Sequence, residues 1–98
     1  MQTFGIRNST TNEFTPVYTI THNIIDDKPK AEKLSAKAIK YFSTAFRLLD
    51  GDGEVYFHGR INTTIDYPEI EFMPLDGIGA GYGCTEIQFY ENHKWVTV

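Results

Sequence analysis

The chain has a single cysteine, Cys84, among 98 residues, so it cannot close an internal disulfide or supply a cysteine-based zinc site alone. That usage fits a reducing compartment. Residues Met1 to Arg7 lack the basic segment, apolar run and small-residue cleavage pattern of a secretory signal. No uninterrupted apolar stretch approaches the ~20 residues that span a bilayer. A cytoplasmic protein without membrane insertion is therefore expected. Positive charge is also in short supply: nine Lys and Arg stand against 13 Asp and Glu, a net charge of -4. That is the wrong sign for a general nucleic-acid binder and too mild for a nucleic-acid mimic. The histidines His22, His58 and His93 are isolated, with no HxH, HExxH or cysteine at ligand spacing, so no metal site is expected.

What is present is apolar and aromatic. Hydrophobic residues make up 41% and aromatics 14% of the chain, which excludes a disordered or low-complexity protein. The length suits one domain, residues 1–98, with a small core in which a deep enclosed active site would compete for the same side chains. No linker or internal repeat interrupts it.

Period-two alternation marks the strands. Thr3 to Arg7 reads as a first strand, turned by Asn8-Ser9-Thr10-Thr11-Asn12 into a second from Val17 to Ile25. The second strand places Tyr18, Ile20, His22 and Ile24 on one face. From Pro29 to Leu49 the period changes. Ala31, Leu34, Ala38, Phe42, Ala45 and Leu49 recur every three or four residues, which predicts one long amphipathic helix over about 29–49, roughly 30 Å in length. A third strand follows with Val55, Phe57 and Ile61 facing inward, and Gly59 on the same face marks a bulge or a close approach. Ile70 and Phe72 read as a short fourth strand between Pro68 and Pro74, Gly77 to Gly83 as a glycine-rich loop, and the end of the chain as a hairpin. The expected fold is α+β: an antiparallel sheet of five to six short strands with the helix packed on one face.

Four groups of residues carry candidate chemistry. Asp50, Asp52 and Glu54 alternate like calcium ligands. A loop counted from Asp50 would need glycine where Val55 stands and a bidentate acid where Ile61 stands, so the segment reads as a turn. Gly77, Gly79, Gly81 and Gly83 fall at every second position and lead into a strand, unlike a GxGxxG or P-loop phosphate cradle, and no cofactor is expected. Their apolar neighbours Ile78 and Tyr82 are candidate partner contacts. Glu54, Tyr56, His58 and Arg60 share the outward face of the third strand, a ligand or acid–base face if a pocket encloses it. Cys84 lacks a following helix and any nucleophile signature, and reads as a packed side chain.

The most nonrandom feature is charge segregation. Residues 26–47 carry six positive and three negative charges, and residues 48–98 carry two positive and nine negative. On the predicted helix, Lys30, Lys33, Lys37, Lys40 and Arg47 line one outer face. Such a ridge suits an acidic protein surface, with a phosphate backbone as the less favoured occupant given the acidic remainder. The reading is a small, non-enzymatic adaptor or inhibitor that binds a protein, of the kind phages and mobile elements use against host defences. The alternative is a small-molecule binder or small enzyme using the Tyr56, His58 and Arg60 face. Self-association is open to it through an unpaired edge strand or by basic helix meeting acidic surface.

Overall fold

The structure is a computed structural model that describes residues 2–23 and 34–98. Strand β1 (Gln2–Arg7) turns into β2 (Phe14–Asn23) through the expected polar cluster: the Asn8 side chain accepts from the Thr10 and Thr11 backbone N–H groups at 2.8 and 3.2 Å. Helix α1 (Ala36–Tyr41) precedes β3 (Thr44–Leu49) and β4 (Val55–Ile61). Three short helical turns follow, Ile70–Phe72, Leu75–Gly79 and Ala80–Tyr82, and then the hairpin of β5 (Glu86–Glu91) and β6 (Lys94–Thr97). The six strands form one sheet in the order β1-β2-β4-β3-β5-β6, antiparallel throughout, with β1 and β6 at its edges.

The long helix over 29–49 is not there. Residues 29–33, with Lys30 and Lys33, lie outside the described residues. Beyond them the helical pattern holds only for six residues, which Ser35 caps by accepting from the Ala38 N–H at 3.1 Å. At Phe42 the backbone leaves helical geometry, and Thr44–Leu49 becomes an interior strand between β4 and β5. The physical reason is that Thr44-Ala45-Phe46-Arg47-Leu48-Leu49 satisfies both periods. Its three-and-four spacing mimics a helix stripe, yet Phe46 and Leu48 alternate with Arg47, and as a strand this segment gains ladders on both sides and buries both apolar side chains completely.

Two further elements differ from the sequence expectation. Ile70 and Phe72 sit in a tight helical turn after Glu69, whose φ of 54° is left-handed, rather than in a strand. The glycine-rich stretch is not a loop either: Leu75–Gly79 and Ala80–Tyr82 are helical turns laid on the apolar face of the sheet. Gly77 permits that contact, since a Cβ there would lie 2.8 Å from the Tyr18 hydroxyl. Register puts Tyr18, Ile20, Phe46, Leu48, Phe57, Ile61, Ile87 and Phe89 on this face, and segment 70–82 covers it with Ile70, Phe72, Met73, Leu75 and Ile78.

Because β2 and β3 both pair antiparallel with β4, they run the same way, and the described part of the connection, residues 34–43, lies on the opposite, polar face. That part carries α1. It is fixed by Arg60, whose Nε and Nη2 donate to the carbonyls of Phe42 and Ser43 at 2.8 and 3.0 Å, and by the Tyr41 hydroxyl, which donates to the Pro16 carbonyl at 2.7 Å.

Candidate functional site

The polar face is organised by one irregularity. β2 and β4 pair as Ile20 with Gly59 and then, after a register shift, as His22 with His58. Thr21 is the extra residue of this bulge, and it moves His22 off the face of Tyr18 and Ile20 on which alternation would leave it. The two imidazoles therefore stack, with centroids 5.7 Å apart and planes 24° from parallel. Pairing continues from His58 to Arg47, from Arg47 to Gln88 and from Gln88 to Thr97. A single transverse row thus crosses five strands.

Hydrogen bonds stiffen the far half of the row. The Arg47 Nε donates to Gln88 Oε1 at 2.7 Å, while Gln88 Nε2 and the Thr97 hydroxyl each donate to Glu86 Oε2 at 2.6 Å. Those two bonds, with Arg47 nearby, hold the Glu86 carboxyl below its ordinary range. Trp95 lies over the Arg47 guanidinium at 4.4 Å and meets His58 edge-on at 5.9 Å. In the near half, His22 Nε2 is buried without a hydrogen-bond partner among the described residues.

Burial, then the His22 ring and the Arg47 charge, push the His58 pKa below the ordinary imidazole value of about 6.5. An unfolded His58 takes a proton at a higher pH than the folded one, so as pH falls through about 6.5 the unfolded chain binds more protons and stability drops. The melting temperature is expected to fall between pH 7.5 and pH 5.5, above the range where Asp and Glu titrate. His58→Gln should flatten that slope in thermal melts; an unchanged slope would show that His58 does not carry the effect.

Not all the residues singled out by sequence come together. His58 and Arg60 stay on the polar face, but Tyr56 turns away: it packs against the core and its hydroxyl bonds the Asp50 carboxylate. Asp50 also accepts from the Asp52 and Glu54 backbone N–H groups at 2.9 Å each, which makes Asp50–Glu54 a self-capped strand-to-strand turn, with Glu54 exposed on it. The ridge is likewise divided. Lys37 and Lys40 are exposed on α1, whereas Arg47 belongs to β3 and lies under Trp95. Ile78 and Tyr82 sit on the opposite face of the sheet, Ile78 half-buried against the core and Tyr82 edge-on to Phe57 at 5.2 Å, so α1 and the glycine-rich turns do not share a surface. Cys84 is buried in the core cluster, and burial raises its thiol pKa. Among the described residues no three His, Cys, Asp or Glu side chains gather where they could hold a metal.

Two depressions flank α1. One, of about 380 Å³, is lined by Lys37, Lys40, Tyr41, Ser43, Asn62 and Thr64. The other, of about 470 Å³, opens between Leu34 and Ile39 above and Ala45, His58, Arg60 and Trp95 below. Sequence reading missed His22, Gln88 and Trp95 as parts of this face. Only the solitary tryptophan carried a signal, since a single large aromatic near a chain end, in a strand with exposed neighbours, is a candidate surface anchor. Comparison of the chain with known protein families, with curated proteins and with solved structures finds no match. No helix among the described residues is long and apolar enough to cross a membrane.

Proposed function

We propose that this chain is a non-enzymatic binding protein, an adaptor or inhibitor, that docks an acidic segment of a protein partner in the groove beside α1. The observation that carries this reading is the composition of that groove: two exposed lysines, Lys37 and Lys40, with the hydroxyls of Ser43 and Thr64 and the Asn62 amide, and no carboxylate among the described residues of its lining. The rest of the chain is acidic, with a net charge of -4 overall. Such a field repels most acidic surfaces and lets only one aligned with the lysines approach closely. Binding is favoured over acid–base catalysis because the groups facing His58 are the stacked His22 ring, Arg47 and Trp95, with no carboxylate among them to orient an imidazole base. The cytoplasm is the compartment that suits a single buried thiol.

The test is quantitative capture of partners from the source cell, comparing the native chain with Lys37→Glu/Lys40→Glu and with Lys94→Glu. All three sites are exposed, so folding should be retained, and melting curves check it. A partner is expected that the native chain and Lys94→Glu bind equally, that the double variant binds at least about tenfold more weakly, and whose affinity falls with salt. Undiminished binding by the double variant, or no partner for the native chain, would refute the reading.

A further inference from the structure

We infer that the recess on the other side of α1 is a separate small-molecule site, one that takes an organic acid with a flat apolar body and a single carboxylate. The recess exists because Ala45, a short side chain, pairs with Arg60 in the middle of the polar face, so the ladder there leaves a depression roofed by Leu34, just before the α1 cap, and by Ile39 on α1. Its volume, about 470 Å³, falls within the ~300–1,000 Å³ of small-molecule pockets. The walls divide chemically. Leu34, Ile39, Ala45 and the Trp95 ring offer an apolar slot with one aromatic face for stacking, and Thr21, His58 and Arg60 supply the polar groups.

The charge of the ligand follows from Arg60. Its Nε and Nη2 are committed to the carbonyls of Phe42 and Ser43, which fixes the guanidinium plane, while Nη1 has no acceptor among the described residues. Among the described residues no carboxylate lines the recess, so none of them gives this partly desolvated positive group a counter-charge. A carboxylate would supply that charge and accept from the Nη1 N–H groups; an ammonium would meet repulsion. Arg60 also makes the site rigid. The same side chain that would hold the ligand holds the chain leaving α1, so no ordering of the guanidinium remains for binding.

The chain has one tryptophan, so the Trp95 indole N–H resonance reports on the recess without ambiguity. Titration with cinnamate, cinnamamide and cinnamylamine compares one flat body bearing negative, neutral and positive ends. Cinnamate is expected to shift the resonance saturably, the amide to bind at least tenfold more weakly, and the amine not to bind. Ala45→Leu fills the hollow while leaving Arg60 in the chain and should abolish the cinnamate response in a variant whose melting curve shows it folded. Lys37→Glu/Lys40→Glu should leave that response unchanged, which separates this site from the protein-docking groove. Absence of binding by all three compounds, equal or tighter binding of amide or amine, or a response that survives in Ala45→Leu would overturn the inference.

Discussion

Gly59→Val is expected to destabilise the protein by about 3 kcal/mol or more, at the upper end for overpacking in a core. Gly59 lies near the centre of the sheet, paired with Ile20 on one side and Phe46 on the other. A Cβ there would collide with the Phe46 ring and with the Thr19 carbonyl oxygen. The ring could rotate away only by giving up its own packing, and the carbonyl belongs to the neighbouring strand and cannot move without breaking the ladder. A valine adds two methyl groups to that collision. In urea the midpoint should fall sharply with little change in slope. Since small domains hold only ~5–15 kcal/mol in all, a midpoint unchanged within error would mean that Phe46 does not cover Gly59.

Phe46→Ala should cost about 3–5 kcal/mol, the range for deleting a buried aromatic ring. Phe46 is fully buried, meets Tyr18 edge-on at 6.0 Å, and spans the centre of the sheet above Gly59. The two substitutions are also coupled. In a Phe46→Ala background the Cβ of Gly59→Ala enters space that the ring has vacated, leaving only the Thr19 carbonyl to oppose it. The double variant Phe46→Ala/Gly59→Ala should therefore be less destabilised than the sum of the single effects. Strict additivity in the same denaturation series would contradict the contact.

Much of the sheet was legible in the residues themselves. The alternation of β2 as far as Ile20 and of β4 from Phe57 onward, the inward Phe57 and Ile61, the close approach at Gly59, the polar first turn and the final hairpin all follow from period two and turn chemistry, which act locally. The helix over 29–49 failed where locality fails. Nothing within Thr44–Leu49 distinguishes a helix stripe from an interior strand; the choice is made by β4 and β5, which supply ladders on both sides. The glycines of 77–83 were misread for a related reason. Their spacing says that backbone must come close to something, but only the Tyr18 hydroxyl beneath Gly77 says that the something is the core.

The site was less legible than the fold. His58 and Arg60 were assigned to the same outward face, and they do line one recess. Tyr56 was lost to the Asp50 turn, and Arg47 moved from a helix ridge to the middle of a sheet. The pairing of His22 with His58 depends on one bulged residue, Thr21, and strict alternation points the other way. A register shift of one residue reverses every face beyond it, so no pattern within the strand could reveal that row.

The central structural claim is that Arg47 stands in an interior strand, in a row running from His22 through His58 and Gln88 to Thr97, rather than on a helix with Lys37 and Lys40. A nuclear Overhauser spectrum of the isotopically labelled chain tests it most directly. The expected result is cross-strand contacts from Arg47 to His58 and Gln88, a contact between the His22 and His58 rings, and Arg47 side-chain protons shifted by the Trp95 ring. Helical contacts linking Ala45 to Leu48 and Phe46 to Leu49, with none from Arg47 to His58 or Gln88, would contradict it.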